Sequence, residues 1–151
     1  MGANESTTAA AKCSQVTGAE FQTMTLDQYV STPHNQVIAF HSPAQWKYQF
    51  EAAKDSNQLM VIDFTATWCG PCRFVEPYVK EFAAQFSDVI FVNIDVDQLP
   101  MVAAEFGAQA LPAFVLIKKG RVIDRVVGVK VDELRAKIEN HRTHQAHSFA
   151  L

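Results

Sequence analysis

The chain is predicted to fold as an α/β domain with a central mixed β-sheet flanked by α-helices. The first sign is an alternation, in the first part of its 151 residues, between short apolar runs typical of buried strands and segments of helical periodicity. The second is a pair of strand-like segments joined by a basic, Gly-containing turn, which is the pattern of a hairpin. A final amphipathic helix closes the domain. Parallel pairing is expected to dominate the first half, where each strand returns through a helix, and antiparallel pairing the hairpin.

Composition narrows the function classes. A hydrophobic fraction of 48% fits a globular chain with one core. A net charge of −3 leaves no basic footprint, so no nucleic-acid partner is expected and proteins are the natural ones. No apolar run approaches the roughly 18 residues a membrane span requires. Three cysteines, one close pair and one in a polar leader, do not make a secreted disulfide framework and suit a reducing cytosol. The start, MGANESTTAAAKC, has neither the basic-then-apolar pattern of an export signal nor the Arg-rich bias of a mitochondrial transit peptide.

Residues 1–35, rich in Ser, Thr, Ala, Gln and Asn, are expected to be a mostly disordered leader; 36–144 form the domain, and 145–151 a flexible tail. Met1 to Ser6 fits the N-myristoylation pattern, with Gly2 as the acylated residue. One myristoyl chain gives only weak, peripheral membrane association, and palmitoylation of Cys13 would supply a second anchor. Cys13 is otherwise an exposed thiol with no role, a partner in an intermolecular disulfide, or a thiol exchanging with glutathione or the close pair. No helix end or basic cluster lies near it to lower its pKa, which favours the inert reading.

Gln36 to His41 reads as the first strand, and Ser42-Pro43 as an N-cap followed by Pro at the first helical position. Trp46, Phe50 and Ala53 recur at helical spacing as a core face, and Asn57 ends this helix. Leu59 to Phe64 is a nearly continuous apolar run, as expected of a central strand covered on both faces. Asp63 interrupts it. Burial would raise its pKa and let it exchange protons near neutrality, unless it reaches a water pocket or caps a neighbour; the strand pattern alone does not choose.

A helix is expected from Arg73 to Phe86, bent at Pro77, with Val79, Phe82 and Phe86 facing inward. Val89 to Asp95 is a third strand; Asp95 and Asp97 at its end read as solvated acids, not metal ligands. Pro100 to Phe106 is a short helix stopped by Gly107. Ala113 to Ile117 and Val122 to Val127 form the hairpin, with solvated basic charges in its turn. Gly128 permits a close backbone approach. Val131 to about Thr143 is the last helix, and His141, His144 and His147 after its inward residues Leu134 and Ile138 read as a frayed polar tail.

The chemistry concentrates in Trp68-Cys69-Gly70-Pro71-Cys72, between the central strand and the following helix. Cys69 falls at the helix N-cap or first turn, where unpaired N–H groups and the positive end of the helix dipole favour thiolate over thiol. In such places a thiol pKa of about 8.5 falls to roughly 3.5–7.5. Cys72, one turn further in, is the natural resolving thiol. Half a zinc site is the first alternative, but no second cysteine pair exists and Pro71 removes a donor N–H. Two inert buried thiols are the second.

The segment VIDFTATWCGPC, the RFVEPYVKEFAAQF after it, and the later ALPAF and VVGV resemble the thioredoxins over Val37 to Asn140. With the polar leader, and Thr65 where many bacterial relatives carry Trp, the likeness is to plant cytosolic h-type members. The resemblance implies a thioredoxin fold and a monomer that reduces disulfides in target proteins through a reversible Cys69–Cys72 dithiol, in support of cell redox homeostasis. It assigns proton transfer to Asp63, an active-site loop to Trp68, Gly70 and Pro71, a cis-proline element that pairs with substrate backbone to Leu111 and Pro112, and the substrate groove to Gly128. No bound cofactor and no metal are implied. An NADPH-dependent thioredoxin reductase would restore the dithiol, with glutathione and glutaredoxin as the route where Cys13 takes part. Two departures stand out: the Val89–Asp95 strand lacks the lysine many relatives carry near the buried acid, and Ala113 replaces a common Thr. A disulfide isomerase or oxidase, and a non-catalytic binding module, are the rival functions on the same fold.

Overall fold

The computed structural model describes residues 35–143, so Gly2, Cys13, His144 and His147 lie outside the described residues. The elements in order are β1 (Val37–Phe40), α1 (Pro43–Ala53), β2 (Met60–Thr65), α2 (Gly70–Gln85), β3 (Ile90–Asp95), α3 (Pro100–Glu105), β4 (Ala113–Lys118), β5 (Arg121–Val127) and α4 (Val131–His141). The sheet runs β1-β3-β2-β4-β5. β1 and β2 flank β3 in parallel, whereas β4 pairs with β2 and β5 antiparallel. The mixed sheet is therefore parallel in its first half, as expected.

β2 lies at the centre, and its alternating side chains enter two different cores. Met60, Ile62 and Phe64 join Trp46, Val92, Ile94, Phe106 and Val115 on the side of α1 and α3. Val61 joins Val75, Val79, Phe82, Phe91, Phe114, Leu134 and Ile138 on the side of α2 and α4. Edge-on and tilted aromatic contacts knit the first core, with Trp46 centred 5.8 Å from Phe40, 5.3 Å from Phe50 and 5.9 Å from Phe106. By strand parity Asp63 shares the α2 side with Val61.

Ser42 caps α1 as anticipated, its Oγ accepting the Gln45 N–H at 3.2 Å. The helix stops at Ala53 instead of Asn57. Its continuation is intercepted locally: the Ser56 N–H turns back to the Ala53 carbonyl at 2.9 Å, and Ser56 Oγ takes the Gln58 N–H at 3.1 Å. Helix α2 begins at Gly70, with Cys69 as its N-cap as expected, three residues before the Arg73 start read from helical periodicity. Pro71, with its fixed φ and missing N–H, suits the first turn, and Pro77 lies inside the helix.

The end of α4 is not frayed. His141 Nε2 lies 2.9 Å from Asp124 Oδ2, and the His141 carbonyl accepts from Lys118 Nζ at 2.9 Å. Lys137 and His141 together hold the Asp124 carboxyl down at about 2.

The β4–β5 hairpin turns on Lys119 (φ 53°) and Gly120 (φ 72°). Two consecutive left-handed residues match the twist of the flanking strands, but only glycine adopts that conformation freely. A Cβ on Gly120 would also stand 3.0 Å from Lys54 Cβ. Gly120→Ala should therefore lower stability by about 1–2 kcal/mol and Lys119→Asn raise it by about 0.5 kcal/mol. Urea denaturation midpoints at equal m-values test the pair, and equal effects of the same sign would contradict this account of the turn.

Candidate active site

β2 delivers the chain at Thr65 to a short loop that ends at the N-cap of α2, and that N-cap is Cys69. The loop is pinned throughout. The Cys69 N–H donates to the Ala66 carbonyl at 3.2 Å, and Arg73 reaches back with Nη2 to the Thr67 carbonyl at 2.8 Å. Cys69 and Cys72 form a disulfide across a Cα–Cα distance of 5.3 Å. The Cys72 N–H donates to Cys69 Sγ at 3.2 Å, so this sulfur fills the role that a Ser or Asp oxygen takes at other helix starts. A negative charge developing there meets an N–H dipole and the positive end of a 16-residue helix.

The two sulfurs share a bond yet line different spaces. Cys69 borders a shallow outer groove of about 340 Å³ with Trp68, Gly70, Pro71, Val96, Ala108, Gln109 and Leu111. Cys72 lines a second, half-open pocket of about 470 Å³, together with Asp63, Glu76 and Asn93. Asp63 is 4% exposed. Its Oδ2 accepts from Asn93 Nδ2 at 3.3 Å, and its Oδ1 has no partner among the described residues. Burial pushes its carboxyl up to about 7, the Asn93 hydrogen bond pulls down and the Glu76 charge adds upward.

Around the groove, the Leu111–Pro112 bond is cis and Leu111 is half-buried beside the disulfide. Trp68 is 69% exposed, and its indole N–H donates to Asp97 Oδ2 at 2.8 Å. Asp97 is therefore more than a solvated strand-end acid: it fixes the orientation of a groove aromatic, and its own N–H is held by Asp95 Oδ1 at 2.8 Å. Gly128 leaves its side-chain position open, as a close backbone approach requires, and has a second reason to be glycine. Among the described residues nothing beyond its chain neighbours lies within 4 Å of where its Cβ would be, and its φ of 91° is one that glycine adopts freely. That conformation lets the Gly128 N–H bond the Pro112 carbonyl at 2.8 Å, tying it to the cis-proline loop.

The fold thus gathers Asp63, Trp68, Cys69, Gly70, Pro71, Cys72, Leu111, Pro112 and Gly128 at one end of the sheet. Sequence reasoning missed Asn93, Glu76 and Asp97. Asn93 could have been found only through strand register, where it stands opposite Asp63. Glu76 carried a local signal, since it lies four residues beyond Cys72 on one helix. Among the described residues there is no group of three or more His, Cys, Asp or Glu side chains arranged to hold a metal ion.

The thioredoxin family model matches residues 37–140. Thioredoxin H7 of Arabidopsis thaliana is 52% identical over 111 residues, covering 74% of this chain and 86% of that protein. Thioredoxin H2 of the same plant is 49% identical over 108 residues, covering 72% and 81%. The crystal structure of thioredoxin NaTrxh from Nicotiana alata shares 53% identity at a TM-score of 0.70, over 74% of this chain and 96% of that one. The match runs through capped dithiol and cis-proline loop alike: the chain belongs to the thioredoxin family, among relatives of the plant h type, and is a thiol–disulfide oxidoreductase that reduces disulfides in target proteins.

Proposed function

We propose that the two cysteines divide the reaction according to the spaces they line. Cys69, in the groove with Trp68 and Leu111, is the attacking thiolate; Cys72, in the pocket with Asp63, is the resolving thiol. The Cys69 thiolate displaces one sulfur of the target disulfide and forms a mixed disulfide, releasing a first target thiolate that takes a proton from water. Cys72 then loses its proton to the Asp63 carboxylate and attacks Cys69 Sγ. The bond between Cys69 and the target breaks, the second target thiolate leaves and is protonated, and the protein carries the Cys69–Cys72 disulfide. Two electrons have passed to the target.

The single observation that carries this reading is the partnerless Asp63 Oδ1, nine-tenths buried and sharing a cavity with Cys72. A carboxyl titrating at about 7 can accept and return a proton at working pH. Trp68, Pro71 and Leu111 offer the apolar contact for a target. Outside the helices and strands, no backbone hydrogen bond among the described residues uses the Leu111 N–H or carbonyl, which suits pairing with an extended substrate segment. Gly70 keeps the helix start bare, since among the described residues nothing beyond its chain neighbours and its own helix backbone lies within 4 Å of its would-be Cβ.

The domain is assigned to 36–144 and acts as a monomer in the cytosol. It is recharged by an NADPH-dependent thioredoxin reductase, with glutathione and glutaredoxin as the alternative donor. Acylation at Gly2, with Cys13 as the second anchor, would add peripheral membrane association; mass spectrometry of the native protein showing an unmodified Gly2 would remove that part.

Cys72→Ser should leave attack intact and trap targets as mixed disulfides through Cys69, whereas Cys69→Ser should abolish turnover and trap none. Non-reducing electrophoresis followed by mass spectrometry reads the adducts, and adducts through Cys72 would reverse the assignment.

Asp63 links pH to stability. Its carboxyl ionises near 3.8 ordinarily and near 7 in the folded protein, so between those values the folded state holds the extra proton and stability falls as pH rises. Asp63→Asn should therefore stabilise the oxidised protein by roughly 4 kcal/mol at pH 8, with the gain vanishing near pH 3. The same variant should slow resolution by about 10²-fold at pH 7. Chemical denaturation at the two pH values is the check; a gain independent of pH would mean that folding does not raise the Asp63 carboxyl above its ordinary value.

A further inference from the structure

Asp63 lacks a formally charged partner on the strands beside it. Its register partner on β3 is the neutral Asn93, and on β4 it is Phe114. The charged groups around it reach the cavity from other places. His41, just past β1, is engaged with Gln98 at 2.9 Å. Asp95, at the end of β3, accepts the Asp97 N–H. Arg73, Glu76 and Lys80 line the cavity from α2. Of these, Arg73 is committed to the Thr67 carbonyl, and Lys80 Nζ lies 2.8 Å from Glu76 Oε1.

Glu76 stands one helical turn beyond Cys72, so both side chains emerge on the same face of α2 over the cavity that Asp63 enters from below. Its side chain is 55% exposed, which places the carboxylate at the solvent mouth of that cavity. We propose that Glu76 is a positioning residue for the resolving step, fixing the pH range over which Asp63 accepts the Cys72 proton and returns it to solvent. The inference rests on the reading of Asp63 as that acceptor. The transfer moves one proton from Cys72 Sγ to Asp63, with no electron; after resolution the proton leaves through the cavity mouth, past a carboxylate whose negative charge favours its retention on Asp63. The upward contribution of Glu76 to the Asp63 titration agrees with this placement.

The test uses the oxidised full-length chain with ¹³C-labelled aspartate. Glu76→Gln should move the Asp63 carboxyl midpoint to lower pH, while Glu76→Asp, which keeps the charge, should leave it near that of the parent protein. The difference between parent and Glu76→Gln should shrink in 1 M salt, where charges are screened within about 3 Å. In single-turnover release of a thiol from the Cys69 mixed disulfide, Glu76→Gln should resolve roughly twofold faster at pH 6, where more of Asp63 is then ionised. An unchanged midpoint in Glu76→Gln overturns the role of Glu76, and leaves Asp63 to be judged by the slowing in Asp63→Asn. A midpoint that moves while the rate profile stays fixed overturns the proposal through its foundation, because Asp63 would then not be the acceptor. The exposure of Glu76 makes both variants compatible with folding, and a common loss of rate at every pH would indicate a structural effect and count against it.

Discussion

The pleat of β2 is the constraint from which the site follows. A strand buried on both faces must send successive side chains to opposite cores, and a slip of one residue would exchange them all. In the observed register Ile62 and Phe64 fill the aromatic core under α1 and α3, and Asp63 faces α2. The same register sets Asn93 opposite the carboxyl and Phe114 on its other side. An acid is thereby held beneath a helix start, with one amide donor and one unengaged oxygen. The strongly apolar neighbours that fix the register are also what raises the acid's pKa, so fold specificity and proton chemistry arise from the same packing.

The helix above supplies the second half of the geometry. A CxxC spacing leaves its cysteines slightly less than one turn apart, close enough to bond yet unequal in surroundings. Cys69, as N-cap, still has the extended backbone of the incoming loop and borders the outer groove; Cys72 is already helical and faces the strand. Nothing about the two thiols differs chemically before the chain is placed. The helix start creates the difference, with one N–H directed at the Cys69 sulfur and a protonatable carboxyl sharing the pocket that Cys72 lines. This also explains why the site lies where parallel strands end and helices begin, the usual binding end of an α/β sheet.

Much of this was legible in the chain. The continuous apolar run of β2, the Ser42-Pro43 cap and the glycine stops are local signals, and each fell within a few residues of its prediction. Two helix bounds were displaced for local reasons. Helix α1 ends early because Ser56 diverts backbone groups, and α2 reaches back past Arg73 to the cap position where the dithiol reading had already set Cys69, whose sulfur takes the role an oxygen usually fills. What no local pattern could supply was pairing across the fold: Asn93 against Asp63, Asp97 on Trp68, Asp124 on His141. These contacts span 30, 29 and 17 residues and depend on sheet order, which the alternation of elements suggested only in outline.

The identity of the residue opposite Asp63 decides what kind of acid it can be. A lysine in that place would hold the carboxyl low through direct charge pairing, stabilising the folded protein at neutral pH while leaving Asp63 ionised throughout. An asparagine donates one hydrogen bond and no charge. Burial then outweighs the single donor, and the carboxyl is left balanced between its two forms near 7. In that condition a distant charge can move the balance, whereas against a paired lysine it would be a small correction. The departure in β3 and the acid on α2 are therefore physically coupled. Once the strand gives up a cation, the field at Asp63 is set by groups at the cavity mouth, and the helix that carries the dithiol also carries the charge nearest in effect to its proton acceptor.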